Sequence, residues 1–304
     1  MDKLNFIKSV PISKGWSGDK KYCVTFKDGT KYLLRISPIE QFDRKKEGFE
    51  MMKEVLSLHI PMCQPIGFGV CDEGVYSLQS WIDGSDAEDV ISDLSVSKQY
   101  AYGLNAGNIL KKIHTIPAPK QQENWEICFN RKIERKIQMY SECSIKYEGG
   151  QLFINYINEN RYLLHNRPQC YQHGDYHIGN MMIGTNDKLI IIDFDRYDYG
   201  DPWEEFNRIV WCAQKAPMFA TGMVNGYFSY NVPMEFWRLL ALYISSNTLS
   251  SLPWAIPFGQ GEIDTMLNQA KEILKWLNNM NNSIPTWYIN EKDYLKKREM
   301  YADN

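Results

Sequence analysis

The sequence predicts an α+β fold of two lobes, in which a small antiparallel sheet precedes a larger, mostly helical lobe. Strand-like runs separated by tight-turn residues make the first 80 residues β-rich. From Val96 onward, apolar side chains recur mainly at helical spacing. The length of 304 residues suits one large domain or two lobes that share a cleft.

The first lobe, residues 1–80, is predicted from two β-hairpins and one helix. The hairpins comprise the runs 22–26 and 32–36, then 66–70 and 75–78. Asp28-Gly29 joins the first pair and Asp72-Glu73-Gly74 joins the second, and glycine adopts the positive φ that such turns require. Residues 40–58 carry apolar side chains at mostly helical spacing. The pattern breaks at residues 79–84, where we expect a short hinge.

The second lobe, residues 81–304, is predicted from long stretches of helical periodicity. The best helix candidates are 97–114, 129–165, 201–214, 232–250 and 262–279. A short β-like stretch from His173 to Asp195 interrupts them and holds the densest polar cluster in the sequence. We therefore expect the helical lobe to carry a polar hairpin that faces the cleft.

The composition excludes several classes of protein. Apolar residues make up 44% of the chain and charged residues 23%, both near the globular average, which excludes a disordered, collagenous or coiled-coil chain. The 37 acidic and 34 basic residues provide no basic surface for nucleic acid. Seven scattered cysteines without a Cys-x-x-Cys pair indicate reduced thiols. Neither a signal peptide nor a membrane span is visible, so we expect a cytoplasmic protein, and its oligomeric state stays open.

The polar stretch contains residue types that suit phosphoryl transfer. Residues 173–180 read His-Gly-Asp-Tyr-His-Ile-Gly-Asn, and residues 189–195 read Leu-Ile-Ile-Ile-Asp-Phe-Asp. This chemistry needs a carboxylate that accepts the proton of an attacking hydroxyl, and oxygen ligands that hold Mg²⁺ against nucleotide phosphates. Asp175 suits the first role. Asn180 and Asp193 suit the second, because a hairpin would return Asp193 beside Asn180.

These two motifs, followed by Gly200-Asp201-Pro202, resemble those of the aminoglycoside phosphotransferase family, antibiotic kinases with a protein-kinase-like two-lobe fold. The resemblance implies that Asp175 is the general base and that Asn180 and Asp193 are metal ligands. It gives His173 a loop-stabilising role. It also implies ATP or GTP with Mg²⁺ as the donor, and a hydroxyl of an aminoglycoside-like molecule as the acceptor.

By the same resemblance, the first lobe binds the nucleotide. Gly15 and Gly18 would let the backbone approach a phosphate closely, and Ser17 adds a hydroxyl and an amide donor. Arg35 stands on the strand where protein kinases and many antibiotic kinases carry a lysine. Arginine can neutralise phosphate with two parallel hydrogen bonds, so we expect Arg35 to take the lysine's role.

The helix acid and the hinge complete the expected nucleotide site. The family pairs its strand lysine with a helix glutamate, and we expect Glu47 to take this role, with Glu50 as the alternative. Residues 80–84 resemble the family's hinge, where the base would bind the carbonyl of Ser80 and the amide of Ile82. Backbone recognition leaves no side-chain signature, so the preference between ATP and GTP stays open.

An acidic excess suggests a cationic acceptor. Between Asp175 and Glu205 the sequence contains eight acids and two bases, which would favour a polycation. The resemblance places Asp198, Asp201 and Glu205 on a rim near the acceptor. The residues alone are at least as compatible with a turn that caps the following helix.

Two alternatives remain open. A kinase of the same fold could act on another small acceptor, such as choline, a methylthioribose-like sugar, homoserine or a macrolide, because one fold hosts many chemistries. The chain could instead be a non-catalytic, nucleotide-binding pseudokinase. Arg35 and the displaced helix glutamate favour this second alternative, whereas the intact set of Asp175, Asn180 and Asp193 argues against it.

Overall fold

The computed structural model of the chain describes residues 5–13 and 18–289. They divide into two compact units. The first, the sheet unit, comprises the described residues up to 89 together with residues 179–197. The second, the helical unit, comprises residues 90–178 together with the described residues from 198 onward. The polar hairpin therefore groups with the sheet, whereas the sequence placed it in the lobe 81–304.

Five antiparallel strands form the main sheet of the first unit, in the order β1-β2-β3-β5-β4. They are β1 (Phe6–Ile12), β2 (Lys20–Phe26), β3 (Lys31–Ser37), β4 (Pro65–Cys71) and β5 (Gly74–Ser80). Both predicted hairpins are confirmed, since β2 pairs with β3 and β4 pairs with β5. Gly29 and Gly74 turn them at φ +85° and +137°, and a Cβ on Gly74 would lie 2.1 Å from the carbonyl oxygen of Ser37.

Helix α1 (Phe42–Ser57) confirms the helix predicted at 40–58. It buries Phe49, Met52 and Val55, which share one face because they recur at helical spacing. The ring of Phe49 packs 5.4 Å from that of Phe68 on β4. This packing fixes the rotation of α1 about its axis, and with it the direction of every charged side chain on the helix.

A second, three-stranded sheet attaches the polar hairpin to the sheet unit. Its order is β6-β8-β9, and it consists of β6 (Gly84–Asp86), β8 (Met181–Gly184) and β9 (Leu189–Ile191). The amide of Cys63 also donates to the carbonyl of Ile191 at 3.0 Å. These pairings explain why the first compact unit includes residues from beyond the predicted boundary at residue 80.

Seven longer helices build the described part of the second unit. They are α3 (Val96–Ile113), α4 (Trp125–Glu142), α5 (Gly150–Asn160), α6 (Ile209–Lys215), α7 (Pro217–Phe228), α8 (Met234–Ala255) and α9 (Gln260–Trp276), after a short α2 (Ala87–Val90). A two-stranded ladder of β7 (Cys170–Gln172) and β10 (Asp198–Gly200) accompanies them. No helix in residues 5–13 or 18–289 is long and apolar enough to cross a membrane.

Two predicted helices are corrected. The run 129–165 is two helices, because α4 ends where the ammonium of Lys146 binds the carbonyls of Tyr140 and Ser141. Gly149 then adopts φ +73° before α5 begins. The run 201–214 starts as a 3₁₀ segment, Glu204–Arg208, and only then continues as α6.

Helix α7 was not predicted, and its backbone packs directly against that of α3. Glycines on α3 and α7 let the two backbones touch. A Cβ on Gly107 of α3 would lie 2.0 Å from the carbonyl oxygen of Met223 on α7, and one on Gly226 would lie 2.3 Å from that of Leu104. The contact therefore needs glycine on both helices.

Candidate active site

The polar hairpin of the sheet unit brings two predicted metal ligands together. The amide of Ile192 donates to the carbonyl of Asn180 at 3.0 Å, so Asn180 and Asp193 stand at the paired ends of β8 and β9. Asp193 has φ +65°, which places it at the start of the 3₁₀ turn Phe194–Arg196. Aspartate tolerates this conformation better than most residues. A carboxylate and a carboxamide are oxygen donors that suit a hard cation such as Mg²⁺.

The buried guanidinium of Arg35 binds three carboxylates of the same unit. Its Nη1 donates to Oδ1 of Asp193 at 2.6 Å. Its Nε and Nη2 both donate to one oxygen, Oδ2 of Asp19, at 3.1 and 2.9 Å. Nη2 also lies 3.2 Å from Oδ2 of Asp195. Burial alone would lower the pKa of Arg35, but the charges of the three carboxylates raise it well above its ordinary value.

Lys45 on α1 joins this network as a second cation. Its ammonium lies 2.9 Å from Oδ2 of Asp19 and 2.6 Å from Oδ1 of Asp195. The hydroxyl of Ser37 also donates to Asp19 at 2.7 Å. Burial raises the pKa of Asp19, but Arg35, Ser37 and Lys45 together outweigh burial and hold that pKa below its ordinary value. Asp19 is therefore an ionised, buried carboxylate shared by two cations.

The expected pairing of Arg35 with Glu47 is corrected. Glu47 is exposed, and the carboxylates that contact Arg35 are those of Asp19, Asp193 and Asp195. The reason is the rotation of α1, since Lys45 shares the face of Phe49, whereas Glu47 lies two residues away, about 200° around the helix. Glu50 is also exposed and pairs with Lys53. Asp19 therefore takes the place expected for Glu47 beside Arg35, and helix α1 supplies a cation, Lys45.

The expected hinge and phosphate loop are described in part. Ser80 is the last residue of β5, where its amide donates to the carbonyl of Gln64 at 2.9 Å. Among residues 5–13 and 18–289, the backbone of Ile82 has no hydrogen-bond partner. Ser17 lies outside the described residues, so the structure gives no account of it.

In the helical unit, buried groups hold the loop that carries Asp175. His173 is fully buried, and its Nδ1 accepts the amide of Asp175 at 3.3 Å, which agrees with a loop-stabilising role. The carboxylate of Glu205 accepts the amides of Gly174 and Tyr176 at 3.0 and 3.3 Å. The hydroxyl of Tyr176 donates to the carbonyl of Ala106 on α3 at 2.7 Å.

Asp175 itself is partly buried beside two basic side chains. Its Oδ1 lies 3.3 Å from Nε of Arg208 and 3.7 Å from Nε2 of His177. Arg208 ends the 3₁₀ segment before α6, and sequence reasoning gave it no role.

Two of the three predicted rim acids, Asp201 and Glu205, are corrected, because they are buried and have internal partners. Asp201 is fully buried and accepts from Nε of Arg167, the hydroxyl of Tyr243 and the amide of Trp203 at 2.6, 2.6 and 3.0 Å. Glu205 is only 2% exposed and binds the Asp175 loop. Asp198 is exposed but lies 3.2 Å from the ammonium of Lys132. Asp201 and Glu205 have these internal partners because a buried carboxylate requires hydrogen bonds within the fold.

Several residues of the site were missed by sequence reasoning. Asp195 follows Asp193 in the motif already singled out, so the sequence offered a signal for it. Asp19 and Lys45 offered none, because 26 residues separate them and only folding brings them within 2.9 Å. Within the described residues, no group of three or more His, Cys, Asp or Glu side chains could hold a metal ion alone.

Comparisons with solved structures show the same fold. A thermostable mutant of the aminoglycoside phosphotransferase APH(4)-Ia, in complex with AMP-PNP and hygromycin B, is 14% identical with a TM-score of 0.65, covering 89% of this chain and 94% of that one. The streptomycin–ATP–APH(2")-IIa complex is 16% identical with a TM-score of 0.62, covering 90% and 94%. A candidate fructosamine-3-kinase from Haemophilus somnus 129PT is 14% identical with a TM-score of 0.63, covering 88% and 92%.

Sequence comparison identifies the family. No curated protein matches the chain. The family model described as the phosphotransferase enzyme family, APH, matches residues 8–240, well over half of the chain. This range includes the whole Arg35 network and the loop of Asp175. The chain therefore belongs to the phosphotransferase enzyme family.

Proposed function

We propose that the chain is a small-molecule kinase that transfers the γ-phosphate of ATP or GTP to a hydroxyl group. The observation that supports it most directly is the meeting of Asn180 and Asp193 on one hairpin, with Arg35 bound to Asp193. The family membership supports phosphotransferase chemistry. Two of the similar structures are named as complexes with AMP-PNP or ATP, which supports a nucleotide donor.

The sheet unit would bind the nucleotide. Asn180 and Asp193 would hold Mg²⁺, which when bound neutralises charge on the nucleotide's phosphate oxygens. Arg35 would bind the phosphates through its planar guanidinium, held in place by Asp19. The carbonyl of Ser80 and the amide of Ile82 would bind the base, and Ser17 would bind a phosphate. In this scheme Asp19 takes the place that the sequence assigned to Glu47.

Asp175 of the helical unit would accept the proton of the attacking hydroxyl. Its carboxylate oxygens can accept the proton, and one of them lies 3.3 Å from Nε of Arg208. Glu205 and His173 would position the loop through its amides. Catalysis of this kind depends on positioning and charge stabilisation rather than on a covalent intermediate.

The acceptor expected from the sequence is aminoglycoside-like. Similar structures named with hygromycin B and streptomycin support such an acceptor. The acidic rim that favoured it in the sequence has lost its support, because Asp201 and Glu205 are buried and bonded internally. Choline, a methylthioribose-like sugar, homoserine and a macrolide remain alternatives. The pseudokinase alternative is weakened, since Arg35 keeps ionic contacts to carboxylates without a helix glutamate.

Calorimetry of the Asp193→Ala variant tests the nucleotide site. Arg35 keeps Asp19 and Asp195 in this variant, so the fold should survive. We expect Mg²⁺ to tighten nucleotide binding to the wild type by at least about tenfold, and to have no such effect in Asp193→Ala. Asp43→Asn, an exposed change on α1, is the matched control and should behave like the wild type. Equal enhancement by Mg²⁺ in wild type and Asp193→Ala would contradict the assignment.

A further inference from the structure

The ammonium of Lys45 binds two acids of the Arg35 network, yet Lys45 has no role in the scheme proposed above. It lies 3.2 and 2.9 Å from Oδ1 and Oδ2 of Asp19, so that it bridges both oxygens of one carboxylate. It also lies 2.6 Å from Oδ1 of Asp195. The side chain of Lys45 is 14% exposed and that of Asp19 only 4%, so water does little to weaken the contact between them.

The packing of helix α1 directs Lys45 toward these acids. Lys45 precedes the buried Phe49 by four residues, so the two side chains share one face of the helix. On the same turn, a Cβ on Gly48 would lie only 3.0 Å from the ring of Tyr197. The segment that carries Asp195 and Tyr197 is therefore seated on the turn of α1 that carries Lys45.

Asp19 depends on side-chain contacts for its position. It lies one residue before β2, and the pairing of β2 with β3 begins only at Lys20. Arg35 donates to Oδ2 of Asp19, and the hydroxyl of Ser37 donates to Oδ1. Lys45 donates to both oxygens and so fixes the rotation of the carboxylate.

Lys45 also affects the charge that Arg35 presents to a ligand. Arg35 contacts three carboxylates, those of Asp19, Asp193 and Asp195. Their negative charges offset that of the guanidinium and weaken its attraction for another anion, such as a phosphate. Lys45 contacts two of the same acids and takes up part of their charge. Arg35 therefore keeps more of its attraction for a phosphate when Lys45 is charged and in place.

We propose that Lys45 is a positioning residue of the nucleotide site, which acts on Arg35 through Asp19. The proposal rests on the proposed function, since it concerns how Arg35 binds the phosphates of the nucleotide. Lys45 does not touch the nucleotide in this scheme. It holds the carboxylate of Asp19 and shares its charge, so that the guanidinium of Arg35 is both oriented and available.

Calorimetric titration of the full chain with ATP or GTP, in the presence of Mg²⁺, tests the proposal. Lys45→Gln removes the charge and keeps a group that can donate a hydrogen bond to Asp19. We expect Lys45→Gln to weaken binding of the triphosphate by at least about tenfold, the size of one charged hydrogen bond. Lys45→Arg keeps the charge and should bind within about threefold of the wild type. Lys46→Gln, which changes the exposed lysine next to it on α1, is the matched control and should bind like the wild type.

The Asp19→Asn background separates a positioning role from direct contact with the nucleotide. The double variant loses one acid and one base, so the charge balance of the network is kept and the fold should survive. If Lys45 acts through Asp19, adding Lys45→Gln to Asp19→Asn should change the affinity by less than about twofold. This comparison decides the question even if Lys45→Gln alone does not fold.

Two results would overturn the proposal. One is a further loss of about tenfold when Lys45→Gln is added to Asp19→Asn, which would show that Lys45 acts independently of Asp19. The other is equal affinity of Lys45→Gln and the wild type, whatever the stability of the variant in urea, which would leave Lys45 a structural role alone.

Binding by the wild type distinguishes this failure from failure of the proposed function. If the wild type binds the triphosphate in an Mg²⁺-dependent manner and Lys45→Gln binds it equally well, only the role of Lys45 is overturned. If the wild type binds neither ATP nor GTP, the proposed function fails as well.

Discussion

At the scale of single residues, the partners of Arg35 differ from those that the sequence predicted. Aspartates take the place of a helix glutamate, and the helix supplies the cation Lys45. A buried guanidinium needs carboxylates, and here they come from Asp19, Asp193 and Asp195. Lys45 binds two of the same acids, and the charge of Lys21 interacts with all three, so three cations face three anions.

The Asp19→Asn substitution tests this network. Removing one charge of a buried ion pair leaves its partners undercompensated, and we expect a loss of about 2 kcal/mol in the free energy of unfolding. The pKa of Asp19 is below its ordinary 3.8, so its stabilisation is complete above that pH and disappears only as pH falls through the lower folded value. The loss should therefore be equal at pH 7 and pH 5 in urea denaturation.

The control for this experiment is Asp43→Asn, an exposed acid in the first turn of α1, which should change stability by less than about 0.5 kcal/mol. Equal stability of Asp19→Asn and the control would show that Asp19 does not hold Arg35. A loss that disappears between pH 7 and pH 5 would show that the folded pKa of Asp19 is not lowered.

At the scale of elements, the sequence predicted those hairpins and helices whose formation depends on neighbouring residues in the chain. The turn Asp28-Gly29 and the apolar spacing of α1 were sufficient to predict the first hairpin and the helix of the sheet unit. Helix α7 was missed because nearly every residue from 217 to 228 is buried, so the segment lacks the polar face that marks a helix in sequence. The end of α4 was missed because Lys146 terminates it through contacts that have no sequence signature.

The same limit applies to the candidate site. Asp175, Asn180 and Asp193 were predicted because they lie within one short, patterned stretch of sequence. The roles of Asp19 and Lys45 could not be predicted, because they depend on the rotation of α1 and on a contact between residues 26 positions apart. The acids near residue 200 were interpreted as surface because the sequence does not show burial, and Asp201 is fully buried.

The Gly107→Ala substitution tests the contact between α3 and α7. The added methyl would lie 2.0 Å from the carbonyl oxygen of Met223, which is backbone and cannot move aside cheaply. We expect a loss of about 3 kcal/mol in the free energy of unfolding, measured by urea denaturation. Gly261→Ala on α9 is the matched control, because its Cβ meets nothing within 4 Å and alanine favours a helix. Comparable stability of the two variants would contradict the close approach.

At the scale of the whole molecule, the formal net charge of −3 says little about function. What matters is where charged groups gather within each unit. In the sheet unit, three carboxylates contact Arg35, and two of them also contact Lys45. In the helical unit, the buried acids Asp201 and Glu205 serve the fold. The first arrangement suits a metal-bound nucleotide.

The most direct test of the kinase assignment is transfer of labelled γ-phosphate from ATP or GTP, with Mg²⁺, to a panel of hydroxyl acceptors: an aminoglycoside, choline, methylthioribose, homoserine and a macrolide. We expect the wild type to form a phosphorylated acceptor. Asp175→Asn should lower the rate by about 100-fold or more while nucleotide affinity stays unchanged, because only the proton acceptor is lost. Undiminished transfer by Asp175→Asn, or no transfer by the wild type to any acceptor, would contradict the account.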